Sequence, residues 1–200
     1  MIHKKHYVII IPGLGYGVKK IQFATYCWRW FGLIPIVHAM NWRDRENFQP
    51  KLARLVELID RYSKNGNTVS LVGTSAGGSA VVNAYRERKN KIHRVINVCG
   101  RLRTGTHKGF RSFESKTKTS PAFAQSIQLS EKRQKDLTKT DRQKIMTIRP
   151  LFDEVVPPDT TVVKGAQNKI ILSIGHVLSI ALSLTLFSKP LLEFLLDTSQ

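Results

Sequence analysis

Short runs of β-branched and aliphatic residues alternate with helical patterns along this whole sequence, and few architectures satisfy that alternation. A strand covered on both faces reads as a continuous apolar run, and a connection long enough to hold a helix lets the next strand lie parallel to it. Tyr7 to Ile11, Ile34 to Ala39, Thr68 to Val72, Ile92 to Val98, Lys144 to Ile148 and Lys169 to Ile174 are the expected strands. The predicted architecture is α/β, a three-layer α/β/α sandwich with a mostly parallel sheet, in a single domain over residues 1–200.

The intervening helices carry their own signals. Pro50 suits a first helical turn, and Leu52, Leu55, Val56, Ile59 and Tyr62 recur at helical spacing before Asn65-Gly66. An aromatic helical stretch is expected near Val18 to Phe31, a helix from Ala76 to about Arg88, and a buried helix from Val177 to Phe187. Ser188-Lys189-Pro190 ends that helix and starts a short last one, Leu191 to Leu196. Ile170 to Phe187 is an 18-residue stretch with no formal charge, which meets the length of a membrane span. Gly175-His176 interrupts it, and a strand, a turn and a helix account for both halves, so no transmembrane segment is expected.

The pattern breaks after Gly100. Residues 101–142 hold eleven Lys or Arg against four Asp or Glu, and the first half has few aliphatics and reads as loop. Pro121 to Leu137 has helical character. A connection this long in a compact domain is usually a lid or binding loop, so the expectation is a basic cap or lid inserted at 101–142. Over the full chain 32 Lys plus Arg stand against 14 Asp plus Glu, a net charge of +18, which attracts anionic substrates, anionic membrane surfaces or nucleic acid alike. No nucleic-acid motif accompanies the charge, so nucleic acid is the weakest of these partners. Cys27 and Cys99 each sit in apolar stretches, which argues for buried thiols in a reducing compartment. The basic N-terminus is followed by an apolar run that stops at Pro12-Gly13, too short for a secretion signal. A cytoplasmic protein is expected, with peripheral attachment to an anionic membrane through the basic insertion as a further expectation.

Gly73-Thr74-Ser75-Ala76-Gly77 matches G-x-S-x-G and lies between an expected strand and an expected helix, the context a nucleophile elbow needs. Chance would give roughly 0.06 such pentapeptides in a chain of this length. Gly73 and Gly77 suit close backbone approach, and the helix beginning at Ala76 aims its amides at a developing oxyanion. A serine hydroxyl needs a base to take its proton and an acid to hold that base's tautomer. His176 follows the last strand and Asp153 the strand before it, in the order Ser, Asp, His. Glu154 and Asp159 are alternative acids. His3, His6, His38, His93 and His107 do not follow a late strand and are poorer bases.

At these residues the chain resembles the α/β-hydrolase superfamily over nearly its full length. An Asp followed by x-x-Val-Pro after the penultimate strand is matched by Asp153 to Pro157, and a Gly-His after the last strand by Gly175-His176. The family's His-Gly-x-Gly turn is represented by Pro12-Gly13-Leu14-Gly15, without its His. The resemblance implies oxyanion donors at the amides of Leu14 and Ala76, and a minimal member lacking the leading antiparallel strands.

Phe23, Tyr26, Trp28, Trp30 and Phe31 follow the oxyanion turn and are expected in the helix–sheet core, with an acyl pocket as the second reading. No Cys/His cluster has metal-ligand spacing, and Gly13-x-Gly15-x-Gly17 lacks the dinucleotide fingerprint, so neither metal nor cofactor is expected. The expected function is cleavage of a small-molecule carboxylic ester or thioester through an acyl-enzyme. The alternatives are acyl transfer with the same triad, and a non-catalytic module of the same fold that binds an anionic partner.

Overall fold

The computed structural model describes residues 4–15 and 17–198. Six strands form one sheet: β1 (His6–Ile11), β2 (Leu33–Val37), β3 (Thr68–Thr74), β4 (Val95–Val98), β5 (Ile145–Phe152) and β6 (Gln167–Ile174). Their order is β2-β1-β3-β4-β5-β6, and every neighbouring pair is parallel. Alternate residues along each strand feed opposite faces. Ile9 and Ile11 of β1, with Leu71 and Val95, pack under α2 (Phe48–Tyr62) and α3 (Gly77–Arg88), where Leu52, Leu55, Ile59 and Ala80 are buried. Val8 and Ile10, with Ile96 and Ile148, form the second core under α1 (Val18–Ala24), α7 (His176–Leu184) and α8 (Lys189–Leu196). Three layers result, with α4 (Phe113–Thr117), α5 (Pro121–Gln134) and α6 (Lys139–Gln143) in the β4–β5 connection.

Two expectations change. The aromatic stretch is not one helix: α1 ends at Ala24 and a 3-10 turn covers Tyr26–Phe31, closed by Gly32 at φ 77°. Of its aromatics only Trp28 enters the core, donating from Nε1 to the Leu184 carbonyl at 3.1 Å. Phe23, on the outward side of α1, and Tyr26, Trp30 and Phe31 of the 3-10 turn are exposed.

The second correction concerns the segment 101–142. Its helix α5 is a core crossover rather than a cap: Ala122, Phe123 and Ile127 are buried in the same core as α2 and α3. Ser126 joins that layer by bonding Ser79 at 2.7 Å and accepting from Asn83 Nδ2 at its carbonyl at 2.8 Å. The part before α5 is held differently. Arg101 is buried and donates to the carbonyls of Arg103, Thr104 and Arg111, so its charge fastens the loop. Leu102 donates to the Thr160 carbonyl at 2.8 Å, while Ser120 Oγ donates to the Trp42 carbonyl.

The β5–β6 connection carries only a 3-10 turn, Pro158–Thr160. As the outermost strand on that side, β6 leaves Ile170, Leu172 and Ile174 exposed.

Candidate active site

All six strands run in one direction, so the loops that follow them gather at one edge of the sheet, where open α/β sheets place their sites. Ser75 follows β3 and precedes α3 with φ of +51°, a left-handed conformation that a non-glycine residue adopts only under constraint. The constraint is visible in its neighbours. A Cβ on Gly73 would lie 2.3 Å from the Gly77 carbonyl oxygen, and one on Gly77 would lie 2.0 Å from that of Ile11. The elbow therefore closes only with glycine at both positions, and the Ser75 amide is fixed to the Val98 carbonyl at 3.0 Å.

His176 opens α7 directly after β6, and its backbone amide donates to both carboxylate oxygens of Glu154, at 3.1 and 2.9 Å. Its ring reaches across the edge, with Nε2 2.9 Å from Ser75 Oγ and Nδ1 2.8 Å from Asp153 Oδ2. Both Asp153 and His176 are buried. Asp153 Oδ1 accepts from the amides of Val155 and Val156, each at 2.8 Å, which leaves Oδ2 for the imidazole. A carboxylate only accepts, so Nδ1 carries the proton and Nε2 presents its lone pair to the Ser75 hydroxyl.

The turn of Leu14 lies against this group: a Cβ on Gly13 would stand 2.6 Å from Ser75 Cβ. Trp42 holds that turn from the far side, donating from Nε1 to the Pro12 carbonyl at 3.0 Å. Among the described residues, no backbone carbonyl accepts from the amides of Leu14 or Ala76. A hollow of about 140 Å³ lies beside the turn, lined by Leu14, Met40, Asn41 and Trp42 among others.

The remaining sequence candidates fall elsewhere. Glu154 bonds the backbone of His176 rather than its ring, and Asp159 Oδ1 lies 2.7 Å from His107 Nε2. His6 and His93 stack edge to face at the opposite end of the strands, 5.6 Å between ring centroids. His3 lies outside the described residues. Cys99, next to the elbow, is buried, and burial together with the charges of Asp153 and Glu154 pushes its thiol well above the usual range. Cys27 is also free. Among the described residues, no group of three or more His, Cys, Asp or Glu could hold a metal. Sequence reasoning missed Glu154 and Trp42 as supports, since each acts on a backbone atom brought near only by the fold.

No family model matches the sequence, and no curated protein matches it. Solved structures do. Est1E from Butyrivibrio proteoclasticus aligns with a TM-score of 0.65 at 15% identity, over 96% of this chain and 88% of that one. A monoacylglycerol lipase of Paleococcus ferrophilus aligns at 0.64 and 14%, over 94% and 93%. MGS-MChE2, an α/β hydrolase enzyme from a lagoon-sediment metagenome, aligns at 0.65 and 16%, over 96% and 90%. The chain has the α/β-hydrolase fold.

Proposed function

We propose that this protein is a serine hydrolase that cleaves a carboxylic ester or thioester, with Ser75 as nucleophile, His176 as general base and Asp153 as the acid that orients it. The observation that carries the reading is the hydrogen-bond chain from Asp153 Oδ2 to His176 Nδ1 and from His176 Nε2 to Ser75 Oγ, at 2.8 and 2.9 Å. Three residues from three strand-following loops meet with each proton site facing an acceptor.

In the proposed reaction, His176 Nε2 takes the Ser75 proton as Oγ attacks the substrate carbonyl. The amides of Leu14 and Ala76 receive the oxyanion, and the amino-terminal dipole of α3 adds to its stabilisation. As the tetrahedral intermediate collapses, His176 returns the proton to the departing alkoxide or thiolate. Water then loses a proton to His176, attacks the acyl-enzyme and releases the acid with Ser75 restored. An alcohol or amine in place of that water gives acyl transfer by the same steps.

Fluorophosphonate labelling tests the assignment: Ser75 forms the adduct, and Ser75→Ala abolishes it while the circular dichroism spectrum is unchanged. Equal labelling of Ser75→Ala overturns the reading. Asp153→Asn lowers kcat by about 10⁴, because the amide favours the wrong imidazole tautomer. Full loss in Glu154→Gln with an active Asp153→Asn would reassign the acid. A panel of acyl esters and thioesters of varied chain length, with and without an alcohol acceptor, defines substrate and acceptor.

Residues 101–120 are the part of the basic insertion we read as a cap. They run from the loop of Asp159, which His107 bonds at 2.7 Å, to Trp42 beside the oxyanion turn. Lys116 belongs to this part of the chain, with its Nζ 3.0 Å from the Phe110 ring centroid. Anionic substrates are then preferred through Arg103, Lys108, Arg111 and Lys116, and the preference over matched neutral substrates fades as salt screens it.

A further inference from the structure

The helical layer that carries His176 exposes large apolar side chains on its outer surface, as the edge strand β6 does with Ile170, Leu172 and Ile174. Phe23 is 87% exposed, Trp30 81% and Leu186 81%, and Tyr26, Phe31 and Leu178 join them. Large aromatic and aliphatic side chains scattered singly on a surface need no account, whereas a concentration on one layer marks a contact surface. Trp30, Phe31 and Leu186 border one seam. On one side of it stand α1 and the 3-10 turn Tyr26–Phe31, and on the other α7 and α8.

Two hollows follow one another along that seam. The first, about 300 Å³, is lined by Gly15, Lys20, Ile21, Val177, Ile180 and Leu184 among others, and so begins between the oxyanion turn and the residue after His176. The second, about 590 Å³, is lined by residues including Cys27, Trp30, Phe31, Leu186, Leu192 and Leu196. The apolar surface thus starts at the candidate active site and runs outward.

Two features say what covers it. Residues 17–32 contain no Asp or Glu but carry Lys19, Lys20 and Arg29, so cations border the aromatics within a chain of net charge +18; across the seam Lys189 is offset by Glu193, 3.9 Å away and lining the same hollow. Trp, Tyr and Phe beside Lys and Arg is the composition of a surface that sits at the headgroup level of a bilayer. In addition, α7 and α8 bend by 53° between them and neither is long enough to cross a membrane; Ile180, Leu184, Leu191 and Leu195 turn into the core, which leaves Leu178 and Leu186 outward. A bent apolar pair that presents Leu186 at its exposed corner suits burial in one leaflet and not a span.

We infer that the face formed by α1, the Tyr26–Phe31 turn, α7 and α8 docks on an anionic lipid bilayer, with Trp30, Phe31 and Leu186 inserted and the mouth beside His176 held at the lipid surface. This surface is separate from the basic insertion. Docking is also independent of the hydrolase reading, since partition into vesicles is measured without turnover.

The test is co-sedimentation of the full chain with vesicles of phosphatidylcholine alone and of phosphatidylcholine mixed with phosphatidylglycerol, with tryptophan emission recorded in parallel. Trp28 and Trp42 are buried, so a blue shift and quenching by brominated lipid report Trp30. Binding is expected to the anionic vesicles. Trp30→Ser with Phe31→Ser and Leu186→Ser weakens partition at least about tenfold, because three large apolar side chains no longer enter the leaflet. Turnover of a short water-soluble ester, and the circular dichroism spectrum, stay as in the parent chain. Absence of vesicle binding overturns the inference. So does binding that the triple variant retains in full, which would assign attachment to surface charge alone. Self-association in lipid-free buffer that the same substitutions abolish would overturn it too, in favour of a second copy of this chain on this face.

Discussion

Gly13 and Gly15 sit two residues apart in one turn and have opposite surroundings. A Cβ on Gly13 would meet Ser75 Cβ at 2.6 Å and Ser75 Oγ at 3.0 Å, whereas one on Gly15 would meet nothing within 4 Å. Neither has the positive φ that would by itself exclude a side chain. Gly13→Ala must therefore push the Pro12–Gly15 turn off the proposed nucleophile, and displacement on that scale lowers kcat by about 10- to 100-fold. Gly15→Ala leaves kcat close to the parent value. Steady-state turnover of one ester by the two variants checks this, and equal losses would contradict the close approach. The contrast is invisible in Pro12-Gly13-Leu14-Gly15, where both glycines read as the same motif. That Ser75, Asp153 and His176 meet was legible, because their spacing relative to strands reports the edge they share. Glu154 and Trp42 were not, because no local pattern says which distant backbone atom a side chain will bond.

At the scale of elements, the sequence distinguishes helix from strand better than it says what a helix covers. Pro121 starts α5, and Ser120 caps it by accepting from the Phe123 amide, both readable locally. Whether Phe123 and Ile127 face the sheet or a substrate cleft depends on α3 being beside them, which is why a crossover helix was expected as part of a cap. The strands make a prediction of their own at the end remote from the site. His6, on β1, bonds Ser70 of β3 at 2.8 Å and meets the His93 ring. Burial lowers its pKa from 6.5 to about 4, with the His93 ring adding to the shift. His93 is lowered as well, by burial and the Arg94 charge. The unfolded chain protonates these rings near pH 6.5, before the folded one does, so their contribution to stability is complete above that pH. It drains away as pH falls toward about 4, where the folded His6 protonates too. Urea midpoints are thus expected to fall between about pH 7.5 and pH 5, and His6→Gln, which can still bond Ser70, flattens that fall. An equally steep fall in the variant would assign the loss to other groups.

For the whole molecule, the excess of cations is a property no single contact accounts for. Acids are consumed in local pairs: Asp60 takes Arg88 and Lys91, and Asp44 takes the buried Lys51. With 32 Lys and Arg against 14 Asp and Glu, most of the cations have no acid left to pair with. Lys108, Lys118, Lys135 and Lys139 are all exposed in one stretch of the basic connection. A net charge of +18 on a compact chain repels itself, and expansion relieves that repulsion, so the charge works against folding. Surface ion pairs of the kind seen at Asp60 contribute at most about 1 kcal/mol each, and salt weakens them. The two effects respond to salt with opposite signs. Repulsion dominates by number, so raising sodium chloride from about 10 mM to about 150 mM shortens the Debye length from about 30 Å to about 8 Å and raises the Tm. Replacing Lys108, Lys118, Lys135 and Lys139 with Gln raises the Tm at low salt and makes its salt dependence shallower. Thermal melts of both proteins across that range decide the matter: a Tm that falls with salt would mean that the pairs, not the unpaired cations, set the electrostatic balance of the fold.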